Sequence, residues 1–593
     1  MEFAASLPAL LSFPSGAFID PTRNPFTQAA GGGSKEGDSC QPKPQRPPTT
    51  ITRWRVDGCG SCGTQLFIIP LFLGEHVSPL RIDAIIPDQT RHSPSIRERL
   101  QSGRLCYTTD REAANVPLAQ HILYGLDAWI DREDALGERF RTLPFGSRVL
   151  IEEITPDPFD MNIAVDTRHD FERKMESIGS LKEKWNLPES LWPPAIDLGE
   201  LHLCSQIKDS ISLVRFASET EPERLIFKSN TRELHFLYHE LKVLLTMPHH
   251  PNIISRPTHI VTKHCCFGGK KGVCGFLLPF YSKGSLDAVL TNQLPRETLP
   301  LYLQFKWARQ TISALKHIRE SVHGYYSELR LDNILISSRD GEEDVVLADF
   351  ETRGSRGDWS PPEVHWLQET QHLANSPSVP EAYKKKCSDW LVMHRCKSSL
   401  PPNGRYQDID LGYDDAWKSF SRAQQESATV YMIGKLLWCL FESSDSVKNR
   451  PWSQRSSSAR VEFPEFSETP DAMRPLILHC TEGAPERQAH FEPMARIGDR
   501  LVPKALQYSS TTEACTLSEV QKAAKDWWQE ELKRMEHFHT TIADSRAEHQ
   551  GEQFYNGGEP FFTRPSLDQV MEMIEELERN LQPAPPESKA PRF

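Results

Sequence analysis

The sequence predicts an α+β fold divided between at least two folded units and some flexible chain. The chain has 593 residues, several times the size of a usual domain. Short apolar runs of strand character alternate with longer stretches whose apolar residues recur at helical spacing. The 45 prolines break helices and strands, so they predict long connections between these elements.

The composition is that of a soluble globular protein and argues against several function classes. Of all residues, 38% are hydrophobic and 25% are charged. The net charge is -13, and no extended basic face is evident, which argues against a primary nucleic-acid binder. The longest apolar run, LFIIPLFL at 66–73, is far too short to span a membrane, so no membrane partner is expected. The expected partner is a protein or a nucleotide.

The N-terminal residues and the cysteines both predict an intracellular location. Residues 1–18 contain Glu2 and no Lys or Arg, with prolines at 8 and 14, unlike a secretory or mitochondrial signal. Thirteen cysteines, an odd number scattered along the chain, are expected to be free thiols of a reducing compartment. We expect a cytoplasmic protein, with a nuclear location left open.

The residue pattern divides the chain into four segments. The N-terminal residues are rich in Pro, Gly and Ser and cannot bury enough apolar area to offset the entropy of ordering, and a short C-terminal tail is expected to be disordered as well. Between them lie an α+β unit and a larger region in which short strands lead into helices. The segments are 1–50 (disordered tail), 51–190 (N-terminal unit), 196–583 (larger region) and 584–593 (disordered tail).

Within the N-terminal unit, strand-like runs precede helical ones. LFIIPLFL and RIDAII, at 66–73 and 81–86, are the strand-like runs. Helical runs follow at 117–140 and 166–185, the second with apolar residues on one face. The Pro-rich stretch 187–200 predicts a connection to the larger region.

Two cysteine motifs favour structural explanations. Cys59 and Cys62 have zinc-knuckle spacing, but no second Cys or His pair lies nearby in sequence, which disfavours a structural zinc. HCCFGGKKGVC at 264–274 predicts a strand hairpin whose thiols pack in the interior.

Capping boxes predict the starts of two C-terminal helices. Thr516 with Glu519 opens one, and Ser566 with Gln569 opens the other. The second helix carries an apolar stripe that is expected to pack on a core, while coiled-coil pairing is the less favoured alternative. The stripe consists of Leu567, Val570, Ile574, Leu577 and Leu581.

A further set of residues matches what phosphoryl transfer from ATP requires, in the right order. The reaction needs a cation on the phosphates, a carboxylate that positions that cation, oxygen ligands for Mg²⁺ and a group that orients the acceptor hydroxyl. Lys228 ends a strand-like run and Glu240 lies on the helix that follows, so the two can form an ion pair. Asn333 and Asp349, presented at the ends of adjacent strands, make a hard-ligand magnesium site, and Glu328 precedes Asn333 by five residues.

These motifs resemble the protein kinase fold over roughly 196–583. The DFE motif and the wording of the helix at 429–442 are similar to those of fungal kinase-like proteins. The resemblance implies a bilobal protein kinase-like fold, with a small β-rich lobe and a large helical lobe, preceded by the α+β N-terminal unit and the disordered tail. The runs that carry the resemblance are IFKS, MPHHPNII, GFLLPFYSKGSL, ELRLDNIL, ADFE, SPPE, TVYMIGKLLWCLFE and TRPSLDQVMEMIEEL.

The resemblance also implies ATP and Mg²⁺ as cofactors and assigns roles to residues. Lys228, positioned by Glu240, would contact the phosphates, and Asn333 and Asp349 would hold Mg²⁺. A structural ion pair between Glu363 and Arg564 is implied, with Arg487 as the competing partner. The catalytic set would be Glu328, Arg330, Asn333 and Asp349, with Glu328 orienting the hydroxyl and Arg330 supporting the transferring phosphate. The residues around the adenine would be Val214, Leu278, Pro279, Phe280 and Tyr281.

Several departures from the kinase pattern affect the chemical step. Ile207, Asp209 and Ser212 stand where the three glycines of the phosphate loop belong, and glycines there let backbone amides approach phosphate. Glu328 replaces an aspartate, and its extra methylene displaces the carboxylate by about 1.5 Å. Further replacements are Tyr326 and Ser327 for His and Arg, Thr429 for the aspartate of the helix at 429–442, and Glu351 for the DFG glycine.

These departures leave three functions open. The first is an attenuated serine/threonine protein kinase that retains MgATP binding. The second is a pseudokinase, an interaction module that presents the N-terminal unit and two insertions, 364–426 and 488–563, to partners. The third is a small-molecule kinase of the aminoglycoside phosphotransferase type, against which the SPPE and RPSL runs argue.

Overall fold

The computed structural model describes most of the chain between 53 and 581, and every structural statement below concerns those residues. The predicted tails at 1–50 and 584–593, the capping box of Thr516 and Glu519, and Cys62 lie outside them. The described residues are 53–60, 65–73, 83–85, 117–133, 136–155, 157–217, 224–231, 233–266, 268–293, 298–339, 341–354, 359–375, 379–394, 415–445, 447, 463–487, 494–497, 500–503, 522, 526, 529–530, 532–541 and 560–581.

The first unit is a five-stranded sheet with two helices, which agrees with the predicted α+β class. The strands follow one another in sequence order, antiparallel except for the parallel pair β3–β4. The predicted run 66–73 is a strand as far as Pro70 and a 3-10 turn beyond it. The predicted helical run 117–140 is two helices, because the chain leaves helical geometry after Arg132. The elements are β1 Trp54–Gly60, β2 Gln65–Pro70, β3 Asp83–Ile85, α1 Pro117–Arg132, α2 Leu136–Thr142, β4 Arg148–Glu153 and β5 Asn162–Asp166.

Two short helices lead into the second sheet. The predicted run 166–185 is broken into two helices, because Ser177 caps a new one by accepting a hydrogen bond from the Ser180 amide. The Pro-rich stretch 187–200 is more than a connection, since part of it forms an edge strand that runs parallel to the strand His259–His264. The elements are α3 His169–Lys174, α4 Ile178–Trp185 and β6 Ala195–Asp197.

The second sheet has six strands in the order β6-β10-β11-β9-β8-β7, so β7 is an edge strand. The 264–274 run forms the turn of the β10–β11 hairpin as predicted, with Cys265 and Cys274 buried and Cys266 exposed. The elements are β7 Leu201–Lys208, β8 Ile211–Phe216, β9 Leu225–Ser229, α5 Leu234–Thr246, β10 His259–His264 and β11 Lys271–Pro279.

Two hydrophobic cores follow from this arrangement. The smaller one lies between the first sheet and α1 and α2, and its apolar residues end near Val165. The larger one begins with Phe145 and includes Phe171 and Trp185, so by packing the first unit ends before the predicted boundary at 190. The buried aliphatic and aromatic side chains of α3 and α4 belong to this larger core and not to the smaller one.

The rest of the chain is mainly helical. The strands β12 Ile334–Arg339 and β13 Glu342–Leu347 form a hairpin, and β14 Met494–Ile497 and β15 Arg500–Pro503 form another. The C-terminal helix packs on the long helix α7 through the predicted stripe, and its capping box is present: the Ser566 amide donates to Gln569 Oε1 at 2.8 Å. The helices are α6 Leu286–Gln293, α7 Leu301–Glu320, α8 Pro362–Asn375, α9 Glu381–Met393, α10 Asp415–Ser419, α11 Arg422–Phe441, α12 Arg474–Cys480 and α13 Leu567–Leu581.

The two predicted insertions pack against each other. Residues 532–541 of the second insertion are helical and lie beside α8 and α9, which belong to the first. His539, fully buried, is hydrogen-bonded to Thr370 Oγ1 at 2.8 Å and to His394 Nε2 at 3.0 Å, and its ring stacks on Trp390. Helices α8 and α9 of the first insertion and residues 532–541 of the second therefore form one helical layer.

Among the described helices, none combines the length and the apolarity that a membrane crossing requires. Free thiols are carried by Cys204, Cys265, Cys266, Cys274, Cys387, Cys439 and Cys480.

Candidate functional site

Lys228 is the centre of the candidate site. It lies in β9, whose neighbours β8 and β11 place Ile211 and Phe276 beside it. Its side chain is 4% exposed, so its ammonium is removed from water and requires compensating charge. Three carboxylates supply that charge, and their oxygens lie 3.1 Å (Glu240), 2.7 Å (Asp349) and 3.2 Å (Glu351) from Nζ.

The ion pair predicted between Lys228 and Glu240 is therefore present. Glu240 projects from α5, is 1% exposed, and accepts the Phe350 amide at 3.0 Å with its other oxygen. Burial raises the pKa of Glu240 to about 7, because Lys228 offsets only part of the desolvation and Asp349 and Glu351 add repulsion. Burial alone would lower the pKa of Lys228, but the three carboxylates raise it well above its usual value.

Asp349 and Asn333 meet at the ends of the β12–β13 hairpin, as the sequence predicts. Ile334 pairs with Leu347, and the Ala348 amide donates to the Asn333 carbonyl at 2.9 Å. Asp349 has a left-handed backbone, with φ of 64°, which turns the chain sharply after the strand. Burial raises the pKa of Asp349, but the charge and hydrogen bond of Lys228 outweigh it and bring the pKa to about 2. Asp349 is therefore a carboxylate at neutral pH.

Tyr326 supports this turn. Its hydroxyl is buried and donates to the Ala348 carbonyl at 2.5 Å, and its ring packs against Phe350. Tyr326, which stands where the kinase pattern has a histidine, thus holds the segment that carries Asp349.

Glu328 and its neighbours form the loop beneath Asp349. The Asn333 side-chain amide donates to the Glu328 carbonyl at 3.0 Å, which leaves its Oδ1 as the oxygen that could bind a cation. Glu328 is 4% exposed, and its Oε1 accepts the Arg353 backbone amide at 2.6 Å. Arg330 lies 3.8 Å from the Glu328 carboxylate and 3.2 Å from that of Asp332. The Glu328 carboxylate is thus engaged by the chain that follows Asp349.

Thr429 does not support this loop with its hydroxyl. It lies in α11, which is buried along most of its length, and donates to the Gln425 carbonyl of its own helix at 2.8 Å. Aromatic packing supports the loop instead: the Tyr325 ring stacks on Trp417 with centroids 5.4 Å apart.

Sequence reasoning missed the part that Glu351 and Arg353 play in the site. The replacement of a glycine by Glu351 was visible, but its contact with Lys228 was not. Arg353 forms an ion pair with Glu351, and its guanidinium lies 4.4 Å from the centroid of the Phe236 ring on α5. The signal was local: a Glu and an Arg two residues apart, directly after Asp349, point to a charged segment that returns to the site.

The residues predicted to surround the adenine lie at one end of the second sheet. Val214 and Pro279 both pair with Leu225, so the three form one row across β8, β9 and β11. This row is three residues from Lys228 along β9, or roughly 10 Å. Val214 and Leu278 are buried, whereas Phe280 and Tyr281 are partly exposed just beyond the strand.

The β7–β8 hairpin, predicted to cover the nucleotide without glycines, is held together by side chains. Gln206 Nε2 donates to the Lys208 carbonyl at 2.5 Å and to that of Ile211 at 3.2 Å, and Ser212 donates to Gln206 Oε1 at 2.6 Å. Asp209 accepts a hydrogen bond from Gln65 of the first unit at 2.9 Å. The β7–β8 turn is therefore ordered by side-chain hydrogen bonds.

The donors of the site fit a hard divalent cation. In the described chain, Glu240, Asp349 and Glu351 can bring one oxygen each to within 4.8 Å of one another, and Asn333, whose backbone carbonyl accepts the Ala348 amide, adds an amide oxygen from the residue that precedes β12. Oxygen ligands of this kind suit Mg²⁺. Lys228 lies among the three carboxylates, so Asp349 and Asn333 are the pair that could bind a cation without displacing the lysine from Glu240.

Charge is nearly balanced across the site. Oppositely charged side chains alternate across the site, from the turn of the β7–β8 hairpin to Lys228. One further contact belongs to this series, between Lys208 and Asp332. The carboxylates are Glu240, Glu328, Asp332, Asp349 and Glu351, and the cations are Lys208, Lys228, Arg330 and Arg353.

The ion pair predicted between Glu363 and Arg564 is present and buried. Arg564 donates to both Glu363 oxygens, at 2.7 and 3.1 Å, and also to the carbonyls of Ser427 and Glu482. The competing partner, Arg487, donates to the Leu478 carbonyl. The pair joins α8, which begins thirteen positions after Asp349 in sequence, to the residues that lead into α13.

Comparison of the chain with models of known protein families and with curated proteins gives no match. The chemistry open to the site therefore has to be inferred from its own groups. These are the buried ammonium of Lys228, the Asp349 carboxylate and Asn333 amide, whose oxygens suit Mg²⁺, and the Glu328 carboxylate.

Proposed function

We propose that this chain is a protein kinase-like protein that binds MgATP and transfers its γ-phosphoryl group slowly to Ser/Thr hydroxyls of proteins. The observation that carries the proposal is Lys228, buried and shared between Glu240 on α5 and Asp349 after β13. A buried ammonium is costly, and a fold that only needed stability would place an apolar residue there. An ammonium held between a helix and a cation-binding turn is suited to nucleotide phosphates.

The architecture supports the same proposal. A sheet with a single long helix, α5, precedes a mainly helical region, and the site residues come from both. Lys228 and Glu240 belong to the first part and Glu328, Asn333 and Asp349 to the second. In the proposed bilobal fold, the nucleotide lies between the two, with its adenine against the row of Val214, Leu225 and Pro279.

Asn333 and Asp349 would hold Mg²⁺ in this function, and Mg²⁺ would supply charge neutralisation at the phosphates. Arg330 adds a fixed positive charge beside Glu328. Glu328 would accept a hydrogen bond from the substrate hydroxyl and orient it toward the phosphoryl group.

Two contacts support the attenuation of transfer. The Glu328 oxygen Oε1 accepts the Arg353 amide, so it must exchange this partner to reach a hydroxyl. The Glu351 carboxylate is paired with the Lys228 ammonium, so nucleotide phosphates would have to compete with it for that cation. Misplacement of a reacting group by about 1 Å costs on the order of 100-fold in rate.

The same two contacts favour a second candidate function, a pseudokinase that binds partners without transfer. In that function the Glu351 and Arg353 contacts are permanent, and the helical layer of the insertions presents a binding surface. A small-molecule phosphotransferase is a lower alternative, because the Glu363–Arg564 pair belongs to the protein-kinase pattern.

The first experiment tests nucleotide binding by thermal unfolding at millimolar MgATP. Bound nucleotide stabilises the folded state, so the midpoint of the wild-type protein rises by a few degrees. Lys228→Met and Asp349→Asn lose most of this rise, whereas Lys271→Met, which alters an exposed lysine paired with Asp197, keeps it. No rise in the wild-type protein contradicts MgATP binding.

The second experiment separates transfer from binding. Autophosphorylation with radiolabelled ATP is measured for the wild-type protein, Glu328→Ala and Glu343→Ala, the last removing a carboxylate outside the site. Weak labelling that Glu328→Ala abolishes and Glu343→Ala retains supports transfer. Absence of label in a wild-type protein that binds MgATP favours the pseudokinase.

A further inference from the structure

The turn of the β7–β8 hairpin carries a cation that the proposed nucleotide site has not used. Lys208 is the last residue of β7, and its Nζ lies 3.7 Å from the Asp332 carboxylate, on the loop between Arg330 and Asn333. The two side chains are 57% and 35% exposed, so neither is fixed by packing. This contact bridges the second sheet and the loop that carries the proposed catalytic residues.

Side chains fix the backbone on which Lys208 is mounted. Gln206, 2% exposed, bonds to the carbonyls of Lys208 and Ile211 from inside the turn, and Ser212 orients the Gln206 amide. Only the lysine side chain is then left to move. A fixed backbone keeps the point of attachment of the lysine in place, while its long side chain can still reach a ligand in the site.

The first unit holds the other side of the same strand. β7 is an edge strand, and side chains of β1 satisfy its outward backbone groups: Asp57 accepts the Gln206 amide at 2.8 Å, and Arg55 donates to the Cys204 carbonyl at 2.9 Å. Arg55 and Asp57 are also paired with each other. Edge strands without a partner are exposed to aberrant pairing, and here the partner also fixes the position of the turn.

We propose that Lys208 is a phosphate-binding residue. When a nucleotide binds, the Lys208 ammonium moves from the Asp332 carboxylate to the phosphate oxygens. There it takes the place of the backbone amides that glycines would otherwise present. The proposal rests on the proposed function and adds a residue to its site. The first unit acts through Asp57 and Gln65 as the support that keeps this lysine over the site.

Three observations make the exchange favourable. Asp332 keeps a second cation, since Arg330 Nε lies 3.2 Å from it, so the departure of Lys208 does not leave a carboxylate unpaired. Lysine binds phosphate as a mobile point charge and needs no fixed angle. The exposed contact with Asp332 is weak, because surface ion pairs contribute little, whereas a polyphosphate carries several charges.

The experiment compares MgATP with adenosine, which lacks phosphates, by calorimetric titration. Lys208→Gln weakens MgATP binding about tenfold and leaves adenosine binding unchanged, and Lys208→Arg retains most of the MgATP affinity. Lys271→Gln is the control, because Lys271 is similarly exposed and lies 3.4 Å from Asp197 in a single surface ion pair. Asp332→Asn removes the competing partner and strengthens MgATP binding, which a purely structural bridge would not do.

The outcomes separate this inference from the proposed function. Equal MgATP affinity of the wild-type protein and Lys208→Gln overturns the role of Lys208 and leaves nucleotide binding intact. Weaker MgATP binding by Asp332→Asn also overturns it, since the bridge itself would then be what matters. A wild-type protein that binds neither MgATP nor adenosine overturns both.

Discussion

Lys228 shows how a single buried cation determines the state of its neighbours. One ammonium cannot neutralise three carboxylates, so the most buried of them, Glu240, binds a proton most readily, whereas Asp349 stays charged. Glu240 is therefore partly protonated near neutral pH. The charge of the site thus changes in the physiological range, and in the proposed function its attraction for an anionic nucleotide would change with it.

The first prediction concerns the pH dependence of stability. The pKa of Glu240 is raised from 4.5 to about 7, so the folded state binds more protons than the unfolded state between these values, and stability falls as pH rises through this window. Glu240→Gln mimics the protonated form and removes this loss. Relative to the wild-type protein, the variant gains roughly 1–3 kcal/mol between pH 5 and pH 8, measured by urea unfolding. Equal pH slopes of the two proteins would refute the raised pKa.

The second prediction concerns Glu351. Its carboxylate lies 3.2 Å from Lys228 Nζ, so in the proposed function it would compete with nucleotide phosphates for the ammonium. Glu351→Gln removes the charge, keeps a hydrogen-bond acceptor for Arg353, and should tighten MgATP binding about tenfold in calorimetric titration. The control is Glu343→Gln, whose carboxylate is paired with Lys283 at 3.0 Å away from the site. Unchanged or weaker binding by Glu351→Gln would mean that Glu351 is no competitor.

Sequence patterns identified the residues that meet at Lys228 but not all of their contacts. Lys228, Glu240 and Asp349 were predictable because their order along the chain matches what phosphoryl transfer requires and the runs around them resemble the protein kinase pattern. The contacts of Glu351 depend on a left-handed turn at Asp349, and non-glycine residues seldom adopt that geometry. The close contact between β11 and β9 could not be predicted from the sequence either. A Cβ on Gly275 would lie 2.3 Å from the Lys228 carbonyl oxygen, so glycine is required at this point of β11.

At the level of elements, local signals were reliable where they were strong. The capping box of Ser566 and Gln569 and the stripe of α13 are present because both depend on residues close in sequence. The runs 117–140 and 166–185 are each two helices, since a polar break such as the Ser177 cap interrupts the backbone without disturbing the apolar period. The strand at Ala195 was hidden because it pairs with a partner, β10, more than sixty residues away.

The third prediction concerns the ion pair that joins α8 to α13. Arg564 and Glu363 are almost fully buried, so truncating one partner leaves an uncompensated charge in the interior. Arg564→Met should lower the free energy of unfolding by about 3–5 kcal/mol, measured by urea unfolding. The double variant Glu363→Gln with Arg564→Met removes both charges and should recover part of that loss. No recovery would mean that the arginine acts through the Ser427 and Glu482 carbonyls instead.

At the scale of the whole molecule, two apolar cores are joined by polar contacts. Glu172 is the most buried of these: it is 1% exposed and accepts the Phe145 amide at 2.7 Å, the Cys266 amide at 2.7 Å and Lys263 Nζ at 2.6 Å. It thus ties the connection between α2 and β4, through the Phe145 amide, to the β10–β11 hairpin. Burial raises the pKa of Glu172, but Lys263 and the two amides outweigh it and lower the pKa below the usual value.

The joining of the units could not be predicted from the sequence. Glu172 lies in a helical run in which an acidic residue is usually solvated, and its partners are separated from it by 27 and more than 90 residues. The contacts of Asp57 with β7 are hidden for the same reason, since they span 149 residues. Periodicity reports which face of an element is buried, not which distant element covers it.

The last prediction tests whether Glu172 couples the two units. Glu172→Ala leaves Lys263 and two buried amides without their acceptor and should cost about 3–5 kcal/mol. Because these contacts join the units, hydrogen exchange in 53–166 should accelerate more than exchange in α11, and a single thermal transition should separate into two. Asp170→Ala, which alters an exposed residue of the same helix, should change neither. Equal acceleration in both regions would show that the chain unfolds as one body and that Glu172 contributes only local stability.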